Sequence, residues 1–121
     1  MLNKKRVAGT VILNLHDGTK KFLLHKDGDN AKLLTVELSE EQTGLASALQ
    51  LLKEEAQLDV TTIELVELTS GYENDVKVPL FVFEMTETEG PDELPKDFYW
   101  GNTTSFQHII QQFKIEGLPY F

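Results

Sequence analysis

Several features that would assign a chain to a chemical class are absent from this sequence. It contains no cysteine, which excludes disulfides, thiolate nucleophiles and zinc–thiolate sites. Its apolar runs span only a few residues, such as Leu80–Phe83, against the ~20 residues that a membrane-spanning helix needs. The N-terminus has basic residues but lacks the apolar stretch of a signal peptide. We therefore expect a cytoplasmic protein with no membrane segment.

Basic residues are also scarce. Eleven Lys and Arg stand against twenty Asp and Glu, so the formal net charge is −9. This charge argues against nucleic-acid binding, which needs a basic surface, and against docking on anionic membranes. An acidic protein can still bind an anionic ligand where metal ions bridge the charges. With 121 residues, 40% of them apolar, residues 1–121 are expected to form a single domain with its own core. Homo-oligomerisation stays open.

Local motifs for several common chemistries are missing. The eight glycines are scattered and form no phosphate-binding loop. His16 and His108 are isolated, and no pair of histidines has the spacing of metal ligands. The serines lack the surroundings of a catalytic nucleophile.

Apolar and β-branched runs separated by turn signals predict roughly six strands. Their ranges are Val7–Leu15, Phe22–His25, 32–38, Thr61–Leu68, Val76–Met85 and Phe98–Trp100. Turns are predicted at Asp17–Gly18, Asp27–Asn30 and Gly71–Asp75, and Pro79 indicates an edge or a strand start. The order β-β-(β)-α-β-β-β-α predicts an α/β (α+β) fold, in which helices pack on a mixed sheet.

The first predicted helix spans residues 39–57. Ser39 and Gln42 form a capping box, while Gly44 is a weak position after which the helix could start instead. The apolar spacing predicts one buried stripe. It consists of Leu45, Ala48, Leu49, Leu52 and Ala56.

A second helix is predicted near the C-terminal end of the chain. Thr103, Thr104 or Ser105 would cap it, and Gly117 and Pro119 would stop it. Its buried stripe consists of Phe106, Ile109, Ile110 and Phe113.

The first helix carries a patch with potential chemistry. Leu51, Glu54 and Glu55 are spaced i, i+3 and i+4, so their side chains emerge together beside the apolar stripe. Two adjacent carboxylates could hold a hard divalent cation through oxygen ligands. A solvated acidic helix face is the plainer interpretation of the same pair.

The spacing around this pair resembles the Nudix box. Val36 and Gln42 stand at its first Gly and first Glu, and Gln50 and Leu51 stand at its Arg-Glu pair. Glu54 and Glu55 match its Glu-Glu pair, and Gln57 replaces its last Gly. The leading hairpin and the aromatic strand before the last helix are also similar to the family. The resemblance implies a Nudix-like α/β/α sandwich around a mixed β-sheet.

The resemblance implies a function as well as a fold. In the family, the box binds Mg²⁺ or Mn²⁺ and drives water attack on nucleoside diphosphate compounds. Here Leu51 cannot bind metal or accept a proton, and Gln50 replaces the Arg that orients that Glu. The sequence thus predicts no catalytic residue in the box and a weak metal site at Glu54 and Glu55, with Mg or Mn as the candidate cofactor.

Residues outside the box could supplement it. Nudix enzymes often use a carboxylate on the loop after the later strand. Candidates in that region are Glu84, Glu87, Glu89, Asp92 and Glu93. His25 and Lys26 end the second strand, where a basic residue could meet phosphate. Surface roles are the ordinary interpretation of both groups.

Three hypotheses follow. The favoured one is a non-catalytic or very weak nucleotide- or diphosphate-binding domain with an eroded box, whose partner is a nucleotide-like small molecule. The second is a divergent metal-dependent Nudix pyrophosphohydrolase. The third is an unrelated α+β protein in which the Glu-Glu pair arose by chance.

Overall fold

A computed structural model describes residues 5–28, 30–38, 41, 43–73, 76–89 and 93–112. Some predictions fall on other positions and lie outside the described residues. These positions are Ser39, Gln42, Asp92, Phe113, Gly117 and Pro119.

The described residues form seven strands and two α-helices. The strands are β1 Arg6–Asn14, β2 Lys20–Asp27, β3 Asn30–Lys32, β4 Leu34–Glu37, β5 Glu64–Glu73, β6 Val76–Thr86 and β7 Phe98–Gly101. The helices are α1 Gly44–Glu54 and α2 Thr103–Gln112, and short 3₁₀ turns lie at Val60–Thr62 and Glu87–Glu89. Neither of the two described helices has the length and apolar character needed to cross a membrane.

The strands form one mixed sheet, as predicted. Its main order is β3-β2-β1-β6-β5, while β4 pairs with β1 and β7 pairs with β2. β1 runs antiparallel to β2 and parallel to β6, with Ala8–Asn14 opposite Leu80–Thr86. Pro79 lies inside β6 but just before the pairing with β1 begins, so its missing N–H costs no ladder bond on that side.

The sheet separates two apolar cores, one under each helix. Along β1, Val7 and Val11 contribute to the core under α1, whereas Ala8 and Ile12 contribute to the core under α2. This alternation follows from the two-residue period of a strand that is buried on both faces. The predicted α/β/α layering is therefore confirmed.

Helix α1 is shorter than predicted. It begins at Gly44, and its N-cap is Thr43, whose hydroxyl oxygen accepts from the Ala46 N–H at 3.1 Å. A Cβ at Gly44 would lie only 3.2 Å from the Phe81 ring, so the missing side chain lets the helix start close to the sheet. It ends at Glu54 because Gln57 adopts the left-handed conformation, with φ 56°.

The buried stripe of α1 is also rotated relative to the prediction. Leu45 is 38% exposed, although it was expected to face the core, whereas Leu49 is half-buried and packs against that core as predicted. Leu51 is buried instead, because the inward side chains are those of Ser47, Ala48, Leu51 and Leu52. The predicted packing through Ala48, Leu52 and Ala56 is confirmed.

Three further boundaries differ from the predictions. Asp59 begins a 3₁₀ turn by accepting from the Thr61 N–H at 3.0 Å, so β5 starts at Glu64 rather than Thr61. β5 then runs through Gly71 to Glu73, where a turn was expected. Helix α2 is capped by Asn102, whose side-chain oxygen accepts from the Ser105 N–H at 2.8 Å.

Candidate functional site

An open pocket of about 420 Å³ lies between α1 and β4, on the α1 face of the sheet. Its lining is formed by one end of β4, the segment before α1, and the outward edge of α1. The lining residues are Val36, Glu37, Glu41, Ser47, Gln50, Leu51, Glu54 and Glu55.

The four site positions predicted on the helix all line this pocket. Gln50, Leu51, Glu54 and Glu55 lie within the last turns of α1 or directly after it. The Gln50 side chain donates from Nε2 to Glu54 Oε1 at 3.1 Å, since residues four apart are neighbours on a helix. One oxygen of Glu54 is thereby engaged by the residue that stands at the Arg position of the box.

Leu51 belongs to the core as well as to the pocket wall. Its side chain is only 8% exposed and packs in the apolar cluster under α1. The sequence predicted Leu51 on a patch with Glu54 and Glu55, beside the buried stripe. In the structure Leu51 lies next to these glutamates, but its side chain is buried in the core. An isobutyl group at this position excludes water and supplies neither a metal ligand nor a proton acceptor.

The pocket is strongly acidic. Glu37, Glu41, Glu54 and Glu55 line it, and no Lys, Arg or His is among its lining residues. Glu54 and Glu55 are both exposed. Carboxylates that line one concave surface reinforce each other's negative potential, so the pocket attracts cations and repels a bare anion.

The donor set does not fit a metal ion held by the protein alone. Across the described part of the chain, no group of three or more His, Cys, Asp or Glu side chains is arranged to hold a metal ion. Glu54 and Glu55 provide two carboxylates, and the burial of Leu51 removes the position from which a third could complete the set. Two carboxylates can contribute to a Mg²⁺ shell only if other oxygen ligands complete it.

The candidate carboxylates after the later strand do not supply that third ligand where they are described. Glu84 lies opposite Ile12 in the parallel pair, and Ile12 belongs to the core under α2, so Glu84 faces away from the pocket. Its side chain accepts from Asn14 Nδ2 at 3.3 Å. Glu87 lies 3.3 Å from His16 Nε2 and accepts from the His16 backbone N–H. Neither Glu87 nor Glu93 lines the pocket.

His25 and Lys26 also lie away from the pocket. The His25 ring packs against Phe98, with ring centroids 4.8 Å apart. The exposed Lys26 donates its backbone N–H to the Asp97 carbonyl at 2.7 Å. These contacts hold β2 against the start of β7, and a role of the two side chains in meeting phosphate stays a prediction.

Comparison with solved structures identifies the fold. The M. smegmatis Nudix hydrolase RenU superposes with a TM-score of 0.70 at 10% identity, over 88% of this chain and 75% of that chain. The chain has the Nudix fold. A C. elegans Ap4A hydrolase gives a TM-score of 0.69 at 14% identity, over 91% and 88% of the two chains.

The Nudix domain of Shewanella oneidensis NrtR is another similar structure. It was solved in complex with ADP ribose and superposes with a TM-score of 0.61 at 12% identity, over 90% of this chain and 79% of that chain. No family model matches the sequence, and comparison with curated proteins gives no significant match.

The segment that resembles the Nudix box lies beside the pocket. Val36, at the position of the first box Gly, lines the pocket together with the residues at the Arg-Glu and Glu-Glu positions. Sequence reasoning missed Glu37, Glu41 and Ser47. Their signal was present, since Glu37 follows Val36 directly and Ser47 lies one helical turn before Gln50 and Leu51.

Proposed function

We propose that this protein is a non-catalytic, or at most very weakly active, binding domain for nucleotide-like diphosphates. The observation that carries the proposal is the position of Leu51. It occupies the place of the box Glu, is buried in the core, and leaves Glu54 and Glu55 with no third described carboxylate arranged to hold a metal with them. The box therefore offers a surface for binding and no base for activating water.

The ligand chemistry follows from the charge of the pocket. A diphosphate is repelled by four glutamates unless a divalent cation bridges the two sets of oxygens. A magnesium ion bound to the diphosphate already has phosphate oxygens as ligands. Glu54 and Glu55 therefore need supply only the remaining oxygen ligands of the ion. ADP-ribose is a suitable first probe, because the NrtR Nudix domain was solved with it.

The second candidate function is a divergent Mg²⁺- or Mn²⁺-dependent hydrolase. One observation favours it: Glu54 and Glu55 remain adjacent and exposed at the mouth of the pocket. In that case Glu54 would bind the metal through the carboxylate oxygen that Gln50 does not engage, and the base would come from outside the box.

Calorimetric titration of ADP-ribose into the protein tests the proposal. With Mg²⁺ present we expect measurable binding that weakens at least about tenfold when the cation is chelated, since the bridge is lost. Glu54→Gln combined with Glu55→Gln should remove the cation dependence. Glu93→Gln, which removes an exposed carboxylate outside the pocket, is the matched control.

Two results would contradict the proposal. Binding of equal strength with and without a divalent cation would show that the acidic pocket is not the site. Loss of binding in the Glu93→Gln control, equal to the loss in the double variant, would show a general charge effect instead of a local bridge.

A further inference from the structure

The β5 edge, defined as residues Glu64–Glu73, is an open side of the sheet. β5 pairs with β6 and with no other strand in the described ranges. An edge strand points alternate backbone N–H and C=O groups away from its neighbour, and these groups can pair with an added strand. At ten residues β5 is long for an edge, which proteins usually keep short.

The β5 edge is also unusually apolar. Five large apolar side chains of the described chain are exposed, and four of them belong to β5 or the adjacent start of β6. They are Leu65, Val66, Leu68 and Val76, with exposures from 42% to 56%. Leu65, Val66 and Leu68 lie close together near the start of β5, whereas Val76 pairs with Glu73 at its other end. Clustered exposed apolar side chains such as the first three are typical of interaction surfaces.

A bulge in β5 determines which side chains lie on each face of the strand, and the two faces differ chemically. The register shifts between Leu65 and Glu67, so that Leu65 lies opposite Phe83 and Leu68 lies opposite Phe81. Phe81 and Phe83 both belong to the core under α1, which places the two leucines on the α1 face although they are three residues apart. Without the bulge, an odd spacing would put them on opposite faces.

The same bulge places two glutamates together on the other face. Glu67 lies opposite Val82, which belongs to the core under α2, and Glu64 lies opposite Glu84 on that face. The side chains of Glu64 and Glu67 are exposed and form no ion pair or hydrogen bond with any described residue. The β5 edge thus presents leucine on one face and uncompensated negative charge on the other.

We propose that the β5 edge binds an extended segment of a protein partner in which apolar and basic side chains alternate. The partner backbone would add a strand beside β5. Its apolar side chains would cover Leu65 and Leu68, and its Lys or Arg side chains would pair with Glu64 and Glu67. Strand addition of this kind takes affinity from backbone hydrogen bonds and specificity from alternate side chains.

Charge argues against a second copy of this chain as the occupant. Pairing of β5 with its own copy would bring Glu64 and Glu67 of two molecules together, each molecule carrying a net charge of −9. Like charges opposite one another destabilise a strand pair. A basic segment removes that repulsion and supplies the missing counter-charges.

Titration of ¹⁵N-labelled protein with an eight-residue peptide of alternating valine and lysine tests the proposal. We expect amide shifts along β5, and we expect none with a valine–glutamate peptide of the same length. N-methylation of alternate backbone amides of the valine–lysine peptide should abolish binding, because it removes the donors that an added strand needs.

Charge and apolar contributions are separated by two variants. Glu67→Lys should weaken binding about threefold to fivefold at low salt, with a smaller effect at high salt, as for an exposed ion pair. Leu68→Thr introduces a β-branched side chain that suits a strand and should weaken binding about fivefold through lost apolar contact. Glu93→Lys, with the same charge change shortly before β7, is the control and should change affinity less than twofold.

Three results would overturn the proposal. The first is that the peptide shifts the amide resonances of the acidic pocket instead of those of β5. Another is equal weakening by Glu93→Lys and Glu67→Lys, which would indicate attraction by net charge alone. The third is sedimentation of the free protein as a dimer that Leu68→Thr dissociates, which would make a second copy the occupant.

Discussion

Leu51 combines two roles that usually belong to different residues. It stands at a position that would be polar in an active Nudix box, yet it packs in the core under α1 with only 8% of its surface exposed. A carboxylate introduced at position 51 could join Glu54 and Glu55 as a third metal ligand. To do so, it would have to turn out of the apolar core. Restoration of the chemistry is therefore expected to cost stability.

The double change Leu51→Glu with Gln50→Arg makes that trade-off measurable. We expect the free energy of unfolding to fall by roughly 2–4 kcal/mol, because a buried leucine is lost and a charge takes its place. Mg²⁺ affinity should rise, because a third carboxylate joins Glu54 and Glu55. Chemical denaturation and metal titration measure the two effects.

The control keeps the shape and removes the charge. Leu51→Gln with Gln50→Arg should destabilise the protein similarly without any gain in Mg²⁺ affinity. An increase in metal affinity in both variants would show that greater exposure of the pocket, rather than a third carboxylate, is responsible.

Gln57 provides a second prediction at the residue scale. It stands where the Nudix box has its last Gly, and its φ of 56° lies in the left-handed region that favours glycine. Gln57 is exposed, so its replacement removes little packing. Gln57→Gly should raise the free energy of unfolding by about 0.5–1 kcal/mol, whereas Gln57→Val, with a β-branched side chain, should lower it. Thermal denaturation of the two variants checks both signs.

At the scale of elements, local chemistry decides where each helix begins. Thr43→Ala removes the oxygen that accepts from the Ala46 N–H, and we expect a loss of about 0.5–2 kcal/mol in the free energy of unfolding. Denaturant unfolding measures the loss, and Thr43→Ser, which retains the oxygen, is the matched control. If the Thr43→Ala variant is as stable as the parent, Thr43 is not the N-cap, and the helix is capped upstream as the sequence predicts.

The turn before β5 has a titration signature. Hydrogen bonds from the Thr61 side chain, and next from its backbone N–H, hold the pKa of Asp59 below its ordinary value of 3.8. A lowered carboxyl pKa contributes stability above pH 3.8, and that contribution is lost as the pH falls through the lowered pKa. Thr61→Val should move the pKa of Asp59 upward, as followed by NMR of the carboxyl carbon.

Asp17 is an internal reference in the same titration. Hydrogen bonds from the Thr19 hydroxyl, and next from its backbone N–H, lower the pKa of Asp17, which lies in the hairpin between β1 and β2. Its titration should not respond to Thr61→Val. Movement of both carboxyl groups together would indicate partial unfolding rather than loss of one hydrogen bond.

The elements also show what sequence reasoning could and could not reach. The period-two strands, the Asp17–Gly18 hairpin and the β7–α2 ending were predicted because they depend on local patterning. The rotation of α1 was not, because Leu45 and Leu51 are equally apolar and only the sheet beneath decides which one is buried. The bulge at Val66 depends likewise on pairing with β6 and leaves no local signal.

At the scale of the whole molecule, charge determines what can bind. A net charge of −9 and a pocket lined by four glutamates disfavour any bare anion, while that pocket lies beside the segment that resembles the Nudix box. The proposed function resolves this conflict through a cation carried by the ligand. The same acidic character sets the chemistry of the segment proposed for the β5 edge.

The most direct test of whether the protein binds without catalysing is ³¹P NMR of ADP-ribose in excess Mg²⁺, with the same solution lacking the protein as the reference. We predict that the diphosphate signals broaden or shift when the protein is added to the Mg²⁺-containing solution, and that no product signals appear over many hours. The loss of a required base alone lowers a rate by about 10²–10⁴-fold. Product signals that grow with Mg²⁺ and disappear in Glu54→Gln would contradict the account and establish an active enzyme.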